Sequence, residues 1–144
     1  MNPRERVTWH VWTLRLASVH CIAWGAGIML FPASSADVYG FEKPVVDVHL
    51  WQGTGLVILL FGIGYGIAST DPRQHWAVVA IGLLGKILGP MGMAWTVWQG
   101  DISSRVLWLL PLNDVVWWLP FAAILRSAFH KSTGDSEAVT RQLR

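Results

Sequence analysis

Three ionisable side chains stand inside apolar stretches of this sequence, Lys86, Asp114 and His20, and the amide of Asn113 adjoins the acid. Lys86 lies ten residues past Trp76, Asp114 nine past Arg105, and His20 ten past His10. At about 1.5 Å per helical residue, each sits roughly 14 to 15 Å into its helix, near the midplane of a hydrocarbon core about 30 Å thick. A lone Lys or Asp at that depth costs about 2.5 to 3.5 kcal/mol on insertion scales, so Lys86 and Asp114 are expected to face a bundle interior and to pair. Two chemistries suit such a group. It could bind a ligand or handle protons, or it could be an ion pair that only sets helix register. The expected binding set is Lys86, Asn113, Asp114, His20, Trp117 and Trp118. If the site is catalytic, Asp114 is the acid or base and His20 its assistant.

The other polar residues point away from further sites. Cys21 is the only cysteine, which rules out an intrachain disulfide, a CxxC redox pair and a zinc site built on cysteines. His20 and Cys21, as helix neighbours, point about 100° apart and do not form a nucleophile with its base. Asp47, His49 and Gln52 share no clean helical face, so they are expected to be a hydrated helix start, not a metal site. Nothing in the sequence calls for a cofactor or a metal.

These residues need elements to position them, and composition supplies the class. Hydrophobic residues make up 53% of the 144 and charged ones only 14%, against about 25% charged in soluble proteins. The net charge of +2 comes with no basic run carrying interleaved aromatics, which argues against a nucleic-acid partner. Four apolar stretches are long enough to cross a bilayer, at about 11–31, 48–69, 76–98 and 105–125. The first is longer than the h-region of a signal peptide and carries His20, so it is expected to remain as a helix. Short joints at 70–75 and 99–104 make consecutive helices antiparallel neighbours. The expected fold is therefore all-α: an integral membrane four-helix bundle of up-down topology over residues 1–130, followed by a disordered polar tail at 131–144.

Orientation follows from the flanking cations. Arg4, Arg6, Arg73, Arg126, Lys131, Arg141 and Arg144 fall on one side, against Lys43 and Arg105 on the other. The first side is read as cytoplasmic, with both termini there. Tryptophans gather near both expected interfaces, and Trp24 alone lies deeper. The segment from Pro32 to Asp47 is expected on the membrane surface, with a short helix capped by Ser34 or Ser35. Pro90 and Pro111 would free the carbonyls of Lys86 and Leu107 beside the charged residues. The spacings Gly62 to Gly66 and Gly85 to Gly89 are GxxxG, expected to pack the second helix on the third or to form an oligomer interface.

The stretches "GIMLFP", "GTGLVILLFGIGYGIASTDPRQHW", "GLLGKILGP" and "NDVVWWLPF" resemble, in layout and glycine-rich texture over about residues 14–126, the DoxX-like small bacterial four-helix membrane proteins. That resemblance implies a multi-pass protein of the bacterial inner membrane, in a group with links to membrane redox systems, and it transfers no catalytic motif. A second likeness, to EXPERA-type sterol-isomerase domains, would place Asp114, Trp117, Trp118 and His20 around an intramembrane cationic ligand.

Two functions from different classes follow. One is a non-enzymatic accessory or small-ligand-binding subunit, embedded in the lipid bilayer with a lipid or quinone-like ligand and a homo-oligomeric or membrane-complex partner. The other is a membrane enzyme acting on a lipid or isoprenoid. A minimal proton-coupled transporter ranks behind both, because four helices are few for a wide pathway.

Overall fold

The computed structural model describes residues 3–41 and 47–129, with side chains from residue 8 onward. The expected tail at 131–144 and the flanking cation Lys43 lie outside the described residues. The chain is all-helical, without a strand among those residues. Helix α1 is Pro3–Leu30, α2 Pro32–Val38, α3 Val48–Ala68 and α4 Trp76–Gln99. Three segments, Thr8–Leu30, Val48–Ala68 and Trp76–Gln99, are long and apolar enough to cross a membrane, which makes this a membrane protein. Large side chains such as Leu16, Val19, Leu60, Leu84, Leu88 and Leu119 accordingly point outward.

α1 and α3 pack backbone to backbone through glycine. A Cβ at Gly25 would lie 2.5 Å from the Gly55 carbonyl oxygen, and one at Gly62 would lie 2.8 Å from the Ile22 amide nitrogen. Where lipid removes the hydrophobic drive between helices, such close approach supplies the van der Waals contact that holds them. This corrects the expected role of the Gly62–Gly66 pair: both glycines meet α1, at Ser18 and Ile22, and not the helix that follows. Gly85 and Gly89 of α4 have nothing within 4 Å of a built Cβ, so they pack on no neighbour among the described residues. α4 instead leans on α3 at one end, where Gly64 would place a Cβ 3.2 Å from Val78 and Gly82 meets the Tyr65 ring. The main core at that end is Leu14, Ala17, Cys21, Tyr65, Ala68, Val79, Phe121 and Ile124.

The turn from α3 to α4 is built by Asp71, whose Oδ1 accepts from the amides of Arg73 (3.0 Å) and Gln74 (3.1 Å). Those bonds, led by the one from Gln74, hold its carboxyl below the usual range.

α2 begins differently from expectation. Phe31 occupies the N-cap position and makes no side-chain cap; Pro32 opens the helix, where a missing N–H costs nothing. Ser35 is used elsewhere, donating to the Pro32 carbonyl (3.0 Å) and accepting from Trp51 Nε1 (3.0 Å). Just past α2, Tyr39 joins Ile28, Ile102 and Val106 in a second apolar cluster.

The segment expected as one helix over 105–125 is broken. It consists of a 3-10 turn at Ser104–Trp108, a single α-turn at Leu110–Asn113 (α5), a second 3-10 turn at Val115–Trp117, and a helix over 118–129 (α6). Two causes are local. Pro111 cannot donate to Leu107, and it stands in the first turn of the helix that restarts at Leu110, where a missing N–H costs nothing. Asp114 then adopts φ −125°, ψ −55°, and the Trp117 amide bonds to the Asp114 carbonyl (3.1 Å) instead of reaching back to Asn113.

Candidate functional site

The break at Asp114 releases the Asn113 carbonyl, and Lys86 takes it. Lys86 Nζ donates to Asn113 O at 2.8 Å and lies 3.1 Å from Asp114 Oδ1. Both side chains are mostly removed from surroundings, at 10% and 13% exposure, so this is a buried pair and not a surface one. Pro90 has the reciprocal effect in α4. It leaves the Lys86 carbonyl without a helical donor, and Trp118 Nε1 donates to that oxygen at 2.9 Å. Side chains from the facing segment thus replace backbone bonds that each proline or kink removes.

His20 joins the same cluster through the amide, not through the acid. Asn113 Nδ2 donates to Asp114 Oδ2 at 3.2 Å, which leaves Oδ1 as the acceptor facing His20 Nε2 at 3.0 Å. In that arrangement Nε2 carries the hydrogen. His20 also lies parallel to Trp24, with ring centres 6.4 Å apart, and 5.7 Å from the ring of Trp117. All six expected residues, Lys86, Asn113, Asp114, His20, Trp117 and Trp118, therefore lie in one connected cluster. Trp117 Nε1 is buried and has no acceptor among the described residues.

Asp47 lies outside that cluster. It caps α3 by accepting from the Leu50 amide (3.0 Å), His49 is exposed, and Gln52 donates to the Met29 carbonyl (2.9 Å).

The cluster forms one wall of a cavity of about 250 Å³ between α3, α4 and the broken segment, bordered by Lys86, Asn113 and Asp114. Apart from Thr54, whose hydroxyl donates to the Leu50 carbonyl (3.2 Å), and Cys21, its remaining lining is apolar or aromatic, including Trp51, Phe61 and Met93. Gly85 and Gly89 form a flat wall on α4, and the space beside them is there because no side chain fills it, while at Gly82 the Tyr65 ring closes the wall. Both tyrosines of the chain, Tyr39 and Tyr65, also line it. Tyr39 is fixed from outside the cavity, accepting from Trp24 Nε1 at 2.7 Å. Sequence reasoning singled out neither tyrosine. The available signal was that the only hydroxyl-bearing rings lie in and beside apolar segments, where a phenol needs a partner.

Comparison with family models, with characterised proteins and with solved structures finds no match to this chain in any of the three.

Proposed function

We propose that this protein is a multi-pass, non-enzymatic accessory or ligand-binding subunit of the bacterial inner membrane, which holds a small lipid-soluble molecule at a mid-membrane polar site. The observation that carries the reading is the cavity ending on Lys86, Asn113 and Asp114. At about 250 Å³ it falls just below the usual range of roughly 300 to 1,000 Å³ for ligand pockets, so it suits a ring or a chain segment rather than a whole phospholipid.

The topology belongs to the same proposal. The broken segment and α6 make a fourth pass, with the antiparallel up-down order and both termini on the cytoplasmic side. Irregular backbone at membrane depth is tolerated where it lines a cavity or is buried in protein. The kink at Asp114 has both properties, since Asp114 is buried and borders the cavity. The DoxX-like resemblance in layout fits four passes, and the cation asymmetry supports the orientation.

The enzyme reading, with Asp114 as a general acid and His20 assisting, requires Lys86 to be turned away. Lys86 is not turned away: its Nζ lies 3.1 Å from Asp114 Oδ1, so the acid already has a partner.

Quenching tests the binding reading. A long-chain alkane brominated at its tip, added to the protein in nanodiscs, should quench Trp51, read as the difference from a Trp51→Phe sample. Gly89→Leu, which puts a side chain into the open space beside α4, should abolish the difference while leaving helicity intact. Unchanged quenching in Gly89→Leu would rule out the cavity as the binding site.

A further inference from the structure

Tyr65 is among the most completely buried side chains in the protein, at 1% exposure, and it lines the cavity. Its ring is held by a T-shaped contact with Phe121, centres 5.1 Å apart, and its hydroxyl lies against the backbone of Gly82. That hydroxyl has no hydrogen-bond partner among the described residues. An unpaired hydroxyl in apolar surroundings is costly, and buried phenols ordinarily find a partner.

Gly82 and Lys86 are one helical turn apart, on the same face of α4. The Lys86 ammonium carries three hydrogens. Asn113 O and Asp114 Oδ1 account for two of them, which leaves one donor on a residue that also lines the cavity. The cavity is therefore lined by two residues with an uncommitted donor, Tyr65 beside Gly82 and Lys86 one turn further along α4. Its charge is already balanced by the Lys86–Asp114 pair. An anionic group would have to compete with Asp114 for Lys86, and a cation would meet Lys86 directly.

Building on the binding reading above, we propose that the cavity takes a neutral, lipid-soluble molecule bearing a carbonyl-type oxygen, and that Tyr65 Oη and Lys86 Nζ donate to that oxygen while the apolar remainder lies along the glycine wall of α4. Tyr65 is then a specificity-determining residue: it distinguishes an oxygen acceptor from plain hydrocarbon.

The test uses the full chain in nanodiscs with a long-chain methyl ketone labelled with 13C at the carbonyl, and with the alkane of matching length. The wild type should prefer the ketone over the alkane by about fivefold to thirtyfold, the effect of one to two net hydrogen bonds of about 1 kcal/mol each. Infrared difference spectra should show the labelled carbonyl band at lower frequency than in protein-free bilayers. Tyr65→Phe keeps the ring and its contact with Phe121; it should retain alkane binding, lose most of the ketone preference and reduce the band shift. Alkane binding with no ketone preference, or a preference unchanged in Tyr65→Phe, would overturn this inference while the binding reading stood. A fatty acid anion of equal length outcompeting the ketone would overturn the neutral class. Failure of the wild type to bind either probe would overturn both proposals.

Discussion

Replacing Lys86 with Met removes two things at once: the counter-charge 3.1 Å from Asp114 and the hydrogen that the Asn113 carbonyl accepts at 2.8 Å. Asp114 would keep only the Asn113 amide as a donor. Breaking a buried pair from one side costs about 3 to 5 kcal/mol. Removing the acid as well, in Lys86→Met/Asp114→Leu, leaves no uncompensated charge, and the remaining loss is the carbonyl without a donor, about 1 to 3 kcal/mol. The second substitution should thus recover roughly 2 kcal/mol of what the first destroys. Side-chain hydrogen bonds within bilayers average only about 0.6 kcal/mol, so a recovery of that size identifies charge compensation and not a rearranged hydrogen bond. The assay is a double-mutant cycle from reversible unfolding in bicelles, with Asp114→Leu alone as the fourth corner. Additive losses would refute the argument, because they would mean that the two residues do not feel each other. A double variant that regains stability but loses the ketone preference would tie the pair to binding; one that keeps that preference would leave it a register device.

Three further outcomes are expected. Gly25→Ala should destabilise the protein by about 1 to 3 kcal/mol in the same unfolding assay, because the new Cβ meets backbone of α3 2.5 Å away, whereas Gly53→Ala, with open space around it, should be neutral or better. In a Cys21→Ala background, Ser34→Cys should react with a membrane-impermeant thiol reagent from the outside of intact cells, and a reporter after Arg144 should read cytoplasmic; opposite results would remove the four-pass topology. Asp71 has a lowered carboxyl pKa when folded, so its contribution to the α3–α4 turn is present above its unfolded value and fades as pH falls through the folded one; Asp71→Ala should therefore lower thermal stability at neutral pH and match the wild type in strong acid.

Much of this architecture is written locally in the chain. Runs of apolar residues set the three membrane spans to within a few residues, although α1 itself starts at Pro3, well before the expected 11, since a span needs only length and the absence of charge. That Lys86 and Asp114 would meet was legible as well, because opposite charges inside apolar stretches are costly unless they pair. Pro90 also announced that the Lys86 carbonyl would be free. What took that carbonyl, Trp118 Nε1, depends on how α4 faces a segment thirty-two residues away.

The fourth segment marks where such reading stops. Composition makes 105–125 look like a fourth continuous helix, and Pro111 alone suggests a simple bend. A second break at Asp114 requires something to replace the lost backbone donor at Asn113, and that donor is a lysine from another helix. Likewise, a GxxxG spacing states that a backbone can approach but not whose: Gly62 received α1, while Gly85 and Gly89 received nothing and became the wall of a cavity. Sequence determined which stretches are long and apolar enough to span and which carbonyls a proline leaves without a helical donor. Only the tertiary structure decided which partners they met, because hydrogen bonds and close packing act over about 3 to 4 Å, and residues far apart in sequence come within that distance only once the helices have packed.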